Sequence, residues 1–279
     1  MDAKMNNVLL APTDFSEVCA NAIKQAAGTA KYLNFKLCIL HVIDKITKAD
    51  LKKKNLGEEY IIEKLNNIAD EIIKEYNIEV ETIAREGNIF TTISDVSKDI
   101  GAYFIYLGTH GKIGMQKVTG SFALKVVTSS NVPVIIVQKR IFEKGYNNIV
   151  LPITSDWGPW EKTKWAALIA QKFNAKINIF QLEGEKIDDA VLLITEHFKA
   201  NDIDFSIKIA EKTTNFSKQV IDYATSINSE MIMIMTNPDK SLKKYILGSY
   251  DEDMIFNTSQ IPVMCINPRD VNWKKIISR

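Results

Sequence analysis

Apolar and polar positions along the first half of the chain follow two alternating periodicities. Short, almost continuous apolar runs, such as residues 36–43 and 103–107, are typical of strands that are buried on both faces. Longer segments between them place apolar residues every three or four positions, as in residues 59–76, where Ile61 and Leu65 share one helix face. The pattern predicts strands over 8–11, 36–43, 78–84, 103–107 and 132–138, and helices over 17–33, 59–76, 89–98 and 122–128.

The second half repeats this order of elements. A Gly-Ser pair at 120–121 recurs at 248–249, and each pair precedes a predicted helix and then an apolar strand that contains proline. A repeat of this length is a duplicated domain, because a solenoid unit spans only about 20–50 residues. We therefore predict two domains, 1–139 and 146–279, joined by a short charged stretch. The second has predicted strands at 149–153, 176–181, 204–209, 231–235 and 263–266, and helices at 161–173, 188–200, 216–227 and 249–257.

Continuous apolar strands that alternate with helices indicate a parallel sheet covered on both faces. The predicted fold class is α/β, with two tandem domains that each contain a mainly parallel five-stranded sheet. The last strands of the two domains, 132–138 and 261–266, are strongly apolar, and an exposed apolar edge invites aggregation. We predict that these strands pair with each other in an intramolecular pseudo-dimer, which leaves a further homodimer optional.

Composition excludes several classes of function. The chain carries 35 basic and 34 acidic residues, so a broad nucleic-acid surface is not expected. It has no apolar run of about 18 residues, and residues 1–4 do not begin a signal peptide, which favours a cytoplasmic protein without membrane contact. Cys19, Cys38 and Cys265 have no metal-ligand spacing. The three lysines at 52–54 are interpreted as a solvated loop.

The glycines after the predicted strand 103–107 suggest a phosphate site. Gly108 and Gly111 leave room for backbone to approach a ligand, and Gly120-Ser121 precedes the predicted helix 122–128. A helix N-terminus offers free N–H groups and partial positive charge to an anion. The spacing matches neither the dinucleotide fingerprint nor the P-loop. The alternative is a glycine-bearing turn in which Ser121 caps the helix.

Three motifs in the same half, in this order, resemble the universal stress protein family. They are Pro-Thr-Asp-Phe-Ser at 12–16, His-Val at 41–42, and the glycine loop that begins at Gly108. The resemblance covers nearly all of the first half, and the second half matches in layout. It implies a Rossmann-like fold of the adenine nucleotide alpha hydrolase-like type and a role in the stress response. It also implies that ATP or another adenine nucleotide binds, accompanied by Mg²⁺.

The resemblance assigns roles to particular positions. Family members that bind ATP carry the motif G-x2-G-x9-G-[ST], whereas eight residues separate Gly111 from Gly120 here, one fewer. Asp14 and Val42 are expected to face the base and ribose, and Gly108 to border the phosphates. The complete expected set is Pro12, Asp14, Val42, Gly108, Gly111, Gly120 and Ser121.

Two of these positions have structural alternatives that the sequence leaves open. Asp14 fixes its own turn in the first alternative, because Asp readily bonds to nearby backbone. Val42 is an ordinary core residue in the second. Ser16 is expected to cap the helix that begins at Glu17 rather than to contact a ligand.

The second half lacks the expected ligand residues. Thr-Asn-Pro-Asp at 236–239 replaces the glycine loop, and Thr154 stands where the first half has Asp14. Three acids at 251–253 follow Gly248-Ser249 and would repel a triphosphate. We therefore predict one nucleotide site, in the first half, and an architectural second domain. The tryptophans of the second domain at 157, 160 and 165 are interpreted as core, with an interaction surface as the alternative.

The predicted function is adenine-nucleotide binding and regulation in the stress response. No catalytic residue is predicted, since His110 has no carboxylate partner beside it in sequence, and the expected activity is at most slow ATP hydrolysis. One alternative is a nucleotide-free tandem protein that acts as a protein-interaction scaffold for clients that the sequence does not identify. A third, adenylate-forming chemistry, is weakest because neither an SGGxDS loop nor a HIGH-type motif is present.

Overall fold

The computed structural model describes residues 6–109, 117–140, 145–154, 159–239, 244–246 and 251–267, with the backbone alone at 117–121, 159, 237–239 and 244–246. The chain divides into two compact units, Met1–Lys144 and Gly145–Arg279. The first unit contains β1 (Val8–Pro12), α1 (Glu17–Leu33), β2 (Lys36–Ile43), α2 (Lys45–Lys54), α3 (Glu59–Tyr76), β3 (Val80–Glu86), α4 (Ile89–Asp99), β4 (Phe104–Gly108), α5 (Lys117–Ser129) and β5 (Val134–Val137).

The sheet of the first unit is parallel and has the order β3-β2-β1-β4-β5. Its inner strands are almost wholly buried, as expected for apolar strands covered by helices on both faces. The strand order reverses between β1 and β4. A reversal of this kind opens a crevice at the carboxyl ends of the two strands, where ligands bind in open α/β sheets.

Asparagine ends three successive helices of the first unit. Asn34, Asn55 and Asn77 follow α1, α2 and α3 in the left-handed conformation, with φ between 55° and 57°. Asn is one of the few residues besides Gly that tolerate this conformation, and its backbone N–H bonds to free carbonyls of the last turn. These caps stop each helix and turn the chain toward the next element.

The second unit has the same order of elements around its own parallel sheet. It contains β6 (Asn148–Ile153), α6 (Pro159–Phe173), β7 (Lys176–Gln181), α7 (Glu185–Ala200), β8 (Phe205–Ile209), α8 (Phe216–Ser226), β9 (Met231–Met235), β10 (Asn237–Asp239), β11 (Lys244–Ile246), α9 (Asp251–Ile255) and β12 (Val263–Ile266). The strand order is β12-β9-β6-β7-β8, so this sheet also reverses, between β6 and β9. The predicted fold class is thus confirmed for both halves.

Four local predictions differ from the structure. Residues 45–54, which include the three lysines interpreted as a loop, form α2. Helix α5 begins at Lys117 rather than after Ser121. The segment expected to be a plain loop after β9 pairs as the antiparallel strands β10 and β11. The predicted helix 249–257 is the short α9, and residues 247–250, with Gly248 and Ser249, lie outside the described residues.

Two tryptophans of the second unit can be located. Trp165 is buried in the core, and Trp160 is half-buried with its ring edge against His197, the ring centroids lying 4.8 Å apart. Trp157 lies outside the described residues. None of the described helices combines the length and the sustained hydropathy that a bilayer-spanning segment requires.

Candidate functional site

A cavity of about 650 Å³ opens at the reversal point of the first sheet. Pro12 and Asp14 at the end of β1, Val42 in β2 and Gly108 at the end of β4 all line it. These four predicted positions come from three separate motifs, and the carboxyl ends of the parallel strands bring them together. Gly111 lies outside the described residues. Gly120 and Ser121 lie near the start of α5, at positions of which only the backbone is described.

The turn after β1 is held by its own side chains. The Thr13 hydroxyl accepts a hydrogen bond from the Phe15 N–H, and the Asp14 carboxylate accepts one from the Ser16 N–H, both at 2.9 Å. Phe15 adopts φ 67°, which is an uncommon conformation for a bulky residue. Asp14 therefore fixes its turn and also lines the cavity. The Ser16 hydroxyl makes no capping bond to α1, so the expected role of Ser16 as a side-chain cap is wrong.

Asp14 keeps its negative charge despite partial burial. Burial raises the pKa of this carboxyl, but hydrogen bonds from Ser16 and Cys19 outweigh that effect, so the pKa lies below its ordinary value. The same surroundings make the neighbouring thiol inert, because burial and the Asp14 charge raise the pKa of Cys19 to about 12. The cavity thus contains an ionised hydrogen-bond acceptor at the end of β1.

Gly108 is required by packing. A Cβ on this residue would lie 2.6 Å from the carbonyl oxygen of Val18 and 2.8 Å from the Cys19 nitrogen, in the first turn of α1. Backbone atoms cannot swing aside, so only glycine lets α1 approach β4 this closely. Gly108 was predicted to leave space for a ligand, whereas its missing side chain accommodates the helix. Its backbone still borders the cavity.

Val42 is buried, and its side chain forms part of the apolar wall. Its carbonyl oxygen accepts a hydrogen bond from the Asp44 N–H at 3.0 Å. Asp44 in turn caps α2, because its carboxylate accepts the Thr47 N–H at 2.8 Å. The end of β2 is thereby tied to the start of α2, which lies along one side of the cavity.

Helix α2 is a wall element that the sequence analysis missed. Leu51 is its single residue buried in the described structure, and Ile46 is 72% exposed although it borders the cavity. Asp50 and Lys54, one turn apart, also line the cavity and form an ion pair at 2.7 Å. The cap residues Asp44 and Asn55 were the available sequence signal for this helix.

A stacked column stands beside Asp14. The Phe15 ring lies on the imidazole of His41 with centroids 4.5 Å apart, and the Lys64 ammonium lies 4.2 Å from the Phe15 ring centroid. Because the imidazole occupies one face of the Phe15 ring, the ammonium must occupy the other. Phe15 and His41 belong to the motifs of the first half, whereas no pattern in the sequence indicated Lys64, which α3 supplies.

His41 is a neutral, buried member of this column. Its Nδ1 lies 2.8 Å from the Thr13 carbonyl oxygen, so this nitrogen donates, and Nε2 faces the Thr47 hydroxyl at 3.4 Å. Burial lowers the pKa of His41, and the positive charge of Lys64 acts in the same direction. The Thr13 hydrogen bond and the charges of Asp14 and Asp44 oppose this shift without cancelling it.

The corresponding crevice of the second unit contains a buried lysine. Helices α1 and α6 have the same register, because Phe35 N donates to Ala30 O and Ala175 N donates to Ala170 O. Counting back along both helices places Lys162 where the first unit has Ala22. The Lys162 ammonium donates to the Pro152 carbonyl oxygen at the end of β6.

Burial dominates the electrostatics of this lysine. It lowers the pKa of Lys162 to about 8, although the negative charge of Asp251 acts in the opposite direction. Asp251 is itself buried, at the start of α9. Asp251 was predicted to be one of three acids that repel phosphate, and no role was predicted for Lys162.

Fold and crevice define the class of the protein. Each unit is a doubly wound α/β domain with a reversal point at the carboxyl edge of its sheet. The universal stress protein family model matches residues 5–138. A curated universal stress protein of Methanocaldococcus jannaschii is 28% identical over 157 residues, which cover 49% of this chain and 97% of that protein. The first unit therefore belongs to the universal stress protein family, and the second unit repeats its strand order.

Two further comparisons agree with this assignment. The universal stress protein YxiE of Bacillus subtilis is 29% identical over 148 residues, covering 48% of this chain and all of that protein. The crystal structure of a universal stress protein from Archaeoglobus fulgidus matches 94% of this chain and 99% of its own, with a TM-score of 0.75 at 21% identity. At that identity the structural match shows the fold alone.

Proposed function

We propose that the first unit binds an adenine nucleotide, ATP or a close relative, in the crevice between β1 and β4. A Mg²⁺ ion accompanies the phosphates, and the chain acts as a nucleotide-dependent regulator in the stress response rather than as a dedicated enzyme. One observation supports this proposal above the others. Pro12, Asp14, Val42 and Gly108 line a single cavity of about 650 Å³, within the range of about 300–1,000 Å³ that is usual for small-molecule sites.

The described wall suits the nucleoside part of such a ligand. The ionised Asp14 carboxylate accepts hydrogen bonds from ribose hydroxyls or an adenine amino group. Val42 and its apolar neighbours offer a surface for the base. In this proposal the phosphates extend toward Gly111, Gly120 and Ser121, a role that rests on the family resemblance.

Titration calorimetry on the full chain tests the proposal. ATP with Mg²⁺ should bind with a stoichiometry of one per chain, and Asp14→Ala should weaken it. GTP serves as the control for the base. Absence of heat at millimolar ATP, together with no displacement of a fluorescent adenine analogue, would refute nucleotide binding.

The nucleotide-free scaffold remains the second candidate, and one observation favours it. The contact of Gly108 with the backbone of α1 explains this glycine without any ligand. Mass spectrometry of small molecules carried through native purification separates the two functions. A bound adenine nucleotide supports the first, and client proteins recovered without any nucleotide support the second.

The proposed pairing of the two terminal strands within one chain has its own test. If the pairing satisfies both strands, the chain needs no second copy, and light scattering should give the mass of one chain or of a reversible dimer. Large obligate assemblies at every concentration would contradict it.

A further inference from the structure

Lys64 differs from Lys54, the other lysine of the cavity wall, because among the described residues it forms no ion pair. Asp50 and Lys54 neutralise each other across one turn of α2. Asp14 and Asp44 accept hydrogen bonds from backbone N–H groups. Among the described residues, no carboxylate lies within ion-pair distance of the Lys64 ammonium, although the residue is half-buried and lines the cavity.

The ammonium is nevertheless held in a defined place. It lies 4.2 Å from the centroid of the Phe15 ring and 5.5 Å from that of Tyr60, which follows Glu59 at the start of α3. Contact with aromatic faces positions a cation and leaves its N–H groups available to an anion. Phe15 is itself fixed, because Thr13 bonds its N–H and His41 stacks under its ring.

The charges around the cavity indicate where an anionic group can lie. Asp14, Asp44 and Lys64 all act on the His41 imidazole, so this part of the wall carries charges of both signs. Among the described residues Lys64 forms no ion pair with a carboxylate, which leaves its ammonium available to an anionic group of the ligand. We propose that Lys64 is a specificity-determining residue that binds a phosphate of the ligand and so favours nucleotides over nucleosides. This inference rests on the proposed function and assigns it a residue from α3.

The test compares ATP with adenosine, which share the base and ribose but differ in charge. A hydrogen bond to a charged group is stronger than one between neutral groups. Lys64→Gln should therefore weaken ATP binding by about tenfold or more, and adenosine binding by less than about twofold. Lys64→Arg keeps the charge and should restore most of the ATP affinity. Lys74→Gln, an exposed lysine of the same helix, is the matched control and should leave both ligands unaffected.

Each failure has a distinct signature. If Lys64→Gln weakens ATP and adenosine equally, the lysine only supports Phe15, and the inference is overturned while the proposed function stands. An unchanged ATP affinity in Lys64→Gln overturns it as well. If the wild-type chain binds neither compound at millimolar concentration, the proposed function fails and this inference fails with it. Far-ultraviolet circular dichroism of each variant establishes that it is folded.

Discussion

The two crevices of this chain have the same backbone plan and different contents. In the first unit a cavity opens at the reversal point of the sheet, and α1 carries the small, buried Ala22. In the second unit, Lys162 at the matching position sends its ammonium to the Pro152 carbonyl oxygen. The strand order and the helix register are the same in both units. The comparison teaches that the side chains around the crevice can differ while the fold is kept.

A second contrast lies at the last residue of the fourth strand in each sheet. Gly108 ends β4, and Met235 ends β9 at the matching register. The glycine admits the first turn of α1 at a distance that no side chain would tolerate. The second unit carries a long side chain at this position, so it does not share that packing requirement.

The largest expected effect concerns the buried lysine of the second unit. Lys162→Met removes the hydrogen bond to the Pro152 carbonyl oxygen and the positive charge that acts on the buried Asp251, and removing one partner of a buried charge interaction costs about 3–5 kcal/mol. Denaturation of the full chain followed by tryptophan fluorescence measures it, because all four tryptophans lie in the second unit. The double variant with Asp251→Asn should recover most of the loss. Equal losses in the single and double variants would contradict a coupling between the two residues.

The next largest effect should appear in the first unit. Gly108→Ala forces a Cβ against the α1 backbone at 2.6 Å, and we expect a destabilisation of about 2–3 kcal/mol. Gly28→Ala is the matched control, because its Cβ would meet only Tyr76 at 3.9 Å. Within a helix this change should be stabilising, by about 0.5–1 kcal/mol. Circular dichroism during denaturation reports both, and equal stabilities of the two variants would show that the contact is relaxed in solution.

The pH dependence of stability should show the effect of the buried lysine that the second unit contains and the first lacks at the matching position. The folded-state pKa of Lys162, about 8, lies below its ordinary value of 10.5. The unfolded chain therefore binds more protons between these values, and folding becomes more favourable as the pH rises. From pH 8 to 9.5 the gain attributable to this lysine should be about 1.6 kcal/mol. The measurement is the difference between wild type and Lys162→Met in denaturation at each pH, and a flat difference would be evidence against a buried ammonium.

The smallest effect tests the asymmetry of binding. Asp14→Ala should weaken ATP by about tenfold, equivalent to about 1.4 kcal/mol, because an ionised acceptor is lost from the first crevice. Thr154→Ala, the matching change in the second unit, should leave ATP affinity unaltered. Calorimetry on the full-length variants gives both numbers. A larger loss of ATP affinity in Thr154→Ala than in Asp14→Ala would indicate that the nucleotide binds in the second unit, contrary to the proposed asymmetry.

The sequence predicted most elements because their burial follows the apolar pattern. The bounds of α1, β2, α3 and β7 coincide with those expected, since each has a continuous or strictly periodic apolar face. Helix α2 was not predicted, because three lysines end it and Leu51 is its one buried residue in the described structure. Its helical conformation depends on the caps at Asp44 and Asn55 more than on hydrophobic periodicity.

The sequence predicted only part of the site, because some of its residues are distant in the chain and come together only after folding. The sequence motifs identified Asp14 and Val42, because a strand end followed by a polar turn can be recognised from residues that are neighbours in the sequence. Lys64 lies 50 residues after Asp14, so only the folded chain brings it to the Phe15 ring. The sequence does contain a signal for Lys162, because this residue stands in the apolar stripe of α6 that continues through Trp165 and Ile169. A charged residue at a core position of a helix is a signal for a buried polar contact.

Because Lys162 is buried, the rate at which its amine is chemically modified reports how often the second unit opens. Its amine is enclosed by the second unit, so an acylating reagent reaches it only during those moments when that unit opens. The exposed lysines of the same chain, such as Lys218, react at once and provide the reference rate. Peptide mass spectrometry of acylation at this single position would therefore record how often one half of the protein opens, in the intact chain and without any introduced label.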